Sequence, residues 1–291
     1  MTSLETGRDV TDEELGALST LHGAGLDEFR SRWERLSEAR RAAAITTLGE
    51  RERHHARLDF VSIYALALAD PSPDVRGGAA AAIEEDQNAV LLEQLVNLLT
   101  EDPDASVRRN AATALARYAY RAEVGELPES ALQRTRAALL SALRSEAEPS
   151  DVRAAALGSV GYFSDAEVRG ELRVRYDNAQ TRLGALRGMG HSADPRWLDV
   201  ILATFNDDEA DAREEAARAA GEIEDERALA ALADLVDDPS TDVRLAALRS
   251  LGQIGGEEAR EALIYALGDG SPLIRGAAER ALEAVGDDPL A

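Results

Sequence analysis

Cysteine and lysine are both absent from this chain of 291 residues. Without cysteine there is no disulfide, no thiolate metal site and no thiol nucleophile. All 32 residues of the Lys+Arg count are arginine, set against 55 Asp and Glu, for a net charge of -23. An acidic surplus of this size argues against non-specific binding to nucleic acid or to an anionic membrane surface. Aromatic residues are scarce, at 4%. No stretch approaches the roughly 20 apolar residues that span a bilayer. The opening residues, MTSLETGRDVTDEEL, contain no apolar run and turn acidic early, unlike a secretory signal. A cytoplasmic protein is the expectation.

What is present is apolar and periodic. Hydrophobic residues make up 45%, too many for a disordered chain, and alanine and leucine dominate them. These residues favour helix and permit close helix packing. The phrase DPSTDVRLAALRSLG begins at Asp238. Degenerate copies begin at Asp70 (DPSPDVRGGAAAAI), Asp102 (DPDASVRRNAATAL), Asp207 (DDEADAREEAARAAG) and Asp269 (DGSPLIRGAAERAL). Indexed on their arginine, the copies fall at Arg41, Arg76, Arg108, Arg153, Arg182, Arg213, Arg244 and Arg275, the last four each 31 residues apart. A fixed period of this size is the mark of stacked repeats. The expected fold is therefore all-α: an α-solenoid, a right-handed superhelix of about eight antiparallel helix pairs forming one elongated domain.

Each unit reads as two helices. From Glu226, the segment ERALAALADLV places Leu229, Leu232, Leu235 and Val236 on one helical face. Asp237-Asp238-Pro239 breaks it, and a second helix follows Ser240, runs to about Ile254 and ends at Gly255-Gly256. Ser72, Ser240 and Ser271, with Asp104, sit four residues before the index arginine, where each is expected to cap its helix. Pro73 and Pro272 follow at the first helical position, where a missing N–H costs nothing. Gly49, Gly161, Gly190, Gly221 and Gly252 recur eight residues after the arginine. Glycine within a helix costs about 1 kcal/mol against alanine, so its recurrence in register predicts a neighbouring helix crossing closely there.

The expected units are 26–51, 53–86, 88–122, 130–164, 165–191, 193–223, 225–255 and 256–287, with a tail at 288–291. Residues 1–25 read as an N-terminal cap, in which the capping box Thr11-Asp12-Glu13-Glu14 predicts a helix over about 12–20. The step from Arg108 to Arg153 is 45 residues, and the extra length is assigned to a longer loop near Arg121–Glu129.

The pattern Asp-Pro-x-x-x-Val-Arg-x-x-Ala-(x)3-Leu-Gly resembles the HEAT repeat, in the short form found in proteins similar to phycobilin lyase subunits. The resemblance covers the chain from about residue 26. It implies that the aspartate six places before each index arginine, and the arginine itself, bond within and between units: Asp70/Arg76, Asp102/Arg108, Asp207/Arg213, Asp238/Arg244 and Asp269/Arg275. Arg35, Ala147 and Tyr176 stand where three units lack that aspartate, so the ladder is expected to fail there and the array to flex or kink near 147–177.

No catalytic residue, metal or cofactor is expected. Deoxyhypusine hydroxylases have a similar fold and hold iron through His-Glu pairs, but none of His22, His54, His55 and His191 is followed by glutamate. His54 and His55 are adjacent, so their imidazoles diverge on a helix. Asp207-Asp208 and Asp237-Asp238 fall at turns, where aspartate caps helices. No phosphate-binding loop, GxSxG or zinc-type spacing appears.

In HEAT arrays the second helix of each unit lines the concave face. Positions four apart on that helix share one strip. Five residues past the index arginine stand Arg187, Arg218, Arg249 and Arg280; nine past it stand Arg117, Tyr162 and His191, then Glu222 and Gln253. The functional expectation is a non-catalytic protein-binding scaffold, expected to be a monomer, whose arginines receive an acidic or phosphorylated segment of a partner. A solvated face with Glu214–Arg218 and Arg218–Glu222 pairs is the plainer alternative. Two other roles stand beside the scaffold: an accessory or chaperone-like subunit of a modifying enzyme, of the bilin-lyase kind, and a nucleic-acid binder, which the net charge disfavours.

Overall fold

The computed structural model describes residues 2–19, 21–55, 57–83 and 89–285. The tail at 288–291 and the unit edges at 84–88 and 286–287 lie outside the described residues. Every regular element among the described residues is helical. The chain divides into two compact units, Met1–Ser159 and Val160–Ala291.

The first unit opens with α1 (Thr2–Thr6) and α2 (Asp12–Ser19). The capping box forms reciprocally: Glu14 N–H donates to Thr11 Oγ1 at 3.3 Å and Thr11 N–H donates to Glu14 Oε2 at 3.2 Å. Leu4, Val10, Leu15 and Leu18 are buried. Helix pairs follow: α3 (Gly23–Trp33) with α4 (Glu38–His54), α5 (Val61–Ala67) with α6 (Pro73–Ala82), and α7 (Leu92–Glu101) with α8 (Ala105–Glu123). Then come α9 (Glu129–Arg144) and α10 (Ser150–Val160). Arg32 clamps Glu5 with two hydrogen bonds of 2.6 and 2.7 Å, tying α1 to α3. The second helices α4, α6 and α8 pack in series, which is how a repeat array buries a continuous strip.

The expected long loop at 121–129 is not there. Arg121 to Glu123 finish α8 and Glu129 begins α9, so only residues 124–128 connect them. The extra length goes into helix: α8 has 19 residues and α9 has 16. The sequence up to Glu123 contains no breaker. Gly125, with φ of 80°, then supplies the left-handed turn that ends the helix.

The second unit is more regular. It stacks α11 (Ala166–Tyr176) with α12 (Arg182–His191), α13 (Leu198–Thr204) with α14 (Ala210–Ile223), α15 (Leu229–Asp234) with α16 (Thr241–Ile254), and α17 (Gly256–Ala266) with α18 (Pro272–Val285). Here α12, α14, α16 and α18 pack in series. Helix α16 ends at Ile254, with Gly255 at φ 73° beyond it.

The register glycines mark the closest crossings. A Cβ on Gly221 would lie 2.5 Å from Ser250 Oγ, and one on Gly190 would lie 2.8 Å from Ala219 Cα. The same substitution at Gly252 or Gly49 would bring it 3.0 Å from the Cβ of Ala281 or Ala82. In each case the partner is the small residue six places past the next index arginine. The cost of glycine in a helix is therefore offset by backbone contact between repeats.

Candidate partner-binding face

Arginine falls into two groups in this fold, and the first is committed to structure. Each ladder aspartate turns its own helix start: Asp70, Asp102, Asp207, Asp238 and Asp269 accept the N–H two residues on at 2.9, 2.9, 3.0, 2.8 and 2.6 Å. The index arginine six residues later binds the aspartate's backbone carbonyl, in Arg76, Arg108, Arg213 and Arg275 at 2.9, 2.7, 2.8 and 2.8 Å. Its guanidinium then reaches the carboxylate of the following repeat. Arg76 clamps Asp102 at 2.7 and 2.9 Å, and Arg213 clamps Asp238 at the same distances. Arg41 pairs with Asp70, Arg182 with Asp207 and Arg244 with Asp269. Each carboxylate thus pairs with the arginine of the preceding repeat, while Arg76, Arg108, Arg213 and Arg275 take the backbone carbonyl of the aspartate in their own. Bidentate pairs of this kind fix geometry as well as charge. Hydrogen bonding to the guanidinium of Arg213 holds the Asp238 carboxyl below the usual carboxylate range.

Substitutes appear where the sequence lacks the aspartate. Arg108 finds Glu148 at 3.0 Å, one residue past Ala147. Tyr176 receives a hydrogen bond from Arg182 at 3.2 Å, and its ring lies 5.0 Å beneath that guanidinium. Arg41 takes the carbonyl of Leu36 at 2.7 Å. Arg153 Nε is buried with no hydrogen-bond partner among the described residues. The boundary between the two units falls inside 147–177. Ser72 and Asp104 cap their helices as expected, whereas Ser240 stands at the start of α16 without a side-chain cap, its own N–H donating to Asp238.

The second group, five residues further on, is not uniform. Arg187 binds both carboxylate oxygens of Glu215, which is itself buried. Arg218 pairs with Glu214 four residues earlier on the same helix. Arg249 and Arg280 are exposed and meet no acidic partner among the described residues. They edge a half-open groove of about 340 Å³ between α16 and α18. Leu245 and Leu273 line it as well, and Gly252 and Ala281 lie where the two helices cross. Gln253, nine past its index arginine, also reaches this groove.

The other stripe residues settle into local contacts. Tyr162 and His191 stack, with ring centroids 4.3 Å apart and planes at 12°. His191 Nε2 lies 3.8 Å from Glu222. The Glu222 carboxyl is pushed up to about 7, first by lost hydration and then by Glu215, against the pull of Arg187 and Arg218. Arg117, in the first unit, lies 5.6 Å over the Tyr120 ring with its Nε buried and without a hydrogen-bond partner among the described residues.

Sequence reasoning missed the Arg187–Glu215 pair. Its signal is a spacing of 28 residues, one repeat less three, which places both side chains on facing second helices. Among the described residues no three His, Cys, Asp or Glu side chains gather as metal ligands. Among them, too, no helix is long and apolar enough to cross a membrane.

Comparison with known proteins agrees with this architecture. No curated protein sequence matches. Among solved structures, the complex of CpcE and CpcF of phycocyanin lyase from Nostoc sp. superposes with a TM-score of 0.57 at 17% identity, covering 97% of each chain. Human deoxyhypusine hydroxylase matches with a TM-score of 0.41 at 16% identity, over 90% of this chain and 97% of that one. Importin beta gives 0.46 at 14%, over 94% of this chain and 42% of its own. The family of HEAT repeats matches residues 61–156, 174–243 and 234–291, more than half of the sequence. An α-solenoid with its repeat period written in aspartate and arginine, and matched by that family over most of its length, belongs to the HEAT-repeat family.

Proposed function

We propose that this chain is a non-catalytic scaffold, and that it holds a protein partner on the exposed face of its second helices through an acidic segment. The observation that carries the reading is the pair Arg249 and Arg280. They are exposed guanidiniums without acidic partners among the described residues, on a chain of net charge -23. Unspent arginine on an otherwise acidic surface suits carboxylate or phosphate, since its fork bonds two oxygens at once. Arg187 and Arg218 contribute less, because Glu215 and Glu214 already occupy them.

Affinity capture from a native cell extract tests this, with the wild type beside Arg249→Ala/Arg280→Ala and read by mass spectrometry. A partner held by the wild type and lost by the variant is the expected result. Equal capture by both removes these arginines from the binding face.

The likeness to the phycocyanin lyase complex, over 97% of this chain, favours a second reading as an accessory subunit of a modifying enzyme. A pigment or other cofactor carried by the purified protein would support that role. A colourless protein with a co-purifying polypeptide supports the scaffold.

A further inference from the structure

The α16/α18 groove has a polarity that narrows the kind of segment it can hold. Its apolar end is made by Leu245, one residue past Arg244, and Leu273, two before Arg275. Its cationic rim is made by Arg249 and Arg280, which follow those leucines by four and seven residues on the same helices. On a helix those offsets are about one and two turns, or roughly 6 to 10 Å. The groove thus sets an apolar patch and two guanidiniums side by side, separated by about the reach of one short peptide step. In a partner, a leucine and a carboxylate three or four residues apart on a helix lie about 5–6 Å apart. Two residues apart in an extended strand they lie about 6–7 Å apart.

The groove also discriminates between anions. Phosphate sites commonly add backbone N–H groups at a helix N-terminus to their arginines. Arg249 and Arg280 lie nine and nine residues inside α16 and α18, counting Thr241 and Pro272 as the first, where backbone N–H groups are consumed by the helix. A phosphate in this groove would be held by the two side chains alone, which leaves carboxylates as the better-matched partners of Arg249 and Arg280.

We propose that this groove takes an acidic, leucine-bearing peptide segment of a partner protein, with the leucine against Leu245 and Leu273 and the carboxylates on Arg249 and Arg280. This rests on the scaffold reading and gives it a ligand chemistry.

The probe is a fluorescein-labelled peptide, Asp-Asp-Leu-Glu-Asp-Leu-Leu-Asp, titrated with the full chain and read by fluorescence polarisation. At about 0.15 M salt, long-range repulsion from the acidic chain is screened beyond about 8 Å while contact pairs persist. The expected result is saturable binding that weakens about tenfold or more in Arg249→Ala/Arg280→Ala. Leu273→Ser, at a side chain 55% exposed, should weaken it too without disturbing the core. Peptides with leucine replaced by serine, or with every acid replaced by its amide, should lose binding. Three outcomes overturn the assignment: no saturable binding, binding indifferent to both protein variants, or tighter binding of a phosphoserine peptide. Melting curves of the variants confirm that each is folded. The extract capture above does not depend on the peptide, so a failed probe with retained, arginine-dependent capture rejects this ligand chemistry and leaves the scaffold standing.

Discussion

Arg213 and Arg218 sit five residues apart on one helix and have opposite fates. Arg213 keeps 12% of its side chain exposed and clamps Asp238 in the next repeat, while Arg218 keeps 46% and pairs with Glu214 on its own helix. The first belongs to the turn side of the repeat, where desolvated charge must be paired; the second belongs to a more exposed face, where a pair on its own helix is enough. Residue type alone does not separate the two. Position in the repeat separates this pair, together with the acids that the neighbouring repeat brings within reach. A repeat protein can therefore spend one arginine per unit on stacking and leave another for a partner, and only the second kind is open to function.

The sharpest way to break this contrast is at a buried rung. Asp238→Ala leaves Arg213 desolvated without its carboxylate, and removing one partner of such a pair costs about 3–5 kcal/mol. Thermal unfolding should show a large fall in Tm. Arg227→Ala removes an ion pair whose arginine is 62% exposed and screened by water, and should leave Tm nearly unchanged. Equal losses for both would mean that the ladder is ornament and not a stacking device.

A smaller effect is expected where backbones cross. Gly221→Ala places a Cβ 2.5 Å from Ser250 Oγ and 2.7 Å from its Cβ, so the α14/α16 contact must open. Overpacking of this kind costs about 1–3 kcal/mol, against a helix-propensity gain of about 1 kcal/mol. Gly170, in α11, has nothing within 4 Å of such a Cβ, so Gly170→Ala should stabilise by up to about 1 kcal/mol. Chemical denaturation of the two variants tests the difference in sign.

The register glycines, Gly221 among them, were legible in the sequence because close packing demands the same small residue at the same register position. The positions of the repeat arginines and aspartates were legible for the same reason, and so were the bounds of α16, but the pairing was not: each carboxylate pairs with the preceding repeat's arginine and not with the one six residues on. The rung at Glu148 was not, since a shift of one residue from Ala147 leaves the repeat pattern while keeping the carboxylate in reach. The region between Arg108 and Arg153 was misread because a change of period looks alike whether loop or helix absorbs it; the absence of a breaker before Gly125 was the available clue. The arginine stripe was readable as a row but not as a set of free charges. Which arginines are spent depends on acids in the neighbouring repeat, and Glu215 is visible only once α12 and α14 are side by side.

The smallest effects separate the arginines within that row. Arg187→Ala strips a two-oxygen partner from Glu215, a carboxylate with 9% of its surface exposed, and should cost about 1–3 kcal/mol. Arg249→Ala or Arg280→Ala removes an exposed cation that meets no acid among the described residues, and the change should stay within about 0.5 kcal/mol. Urea denaturation of the three single variants measures both. If all three behave alike, the row is one solvated face and the groove between α16 and α18 loses its claim to be special. If only Arg187→Ala falls, stability and binding are carried by different members of the same stripe, and partner capture can be removed at Arg249 and Arg280 from a protein that remains folded.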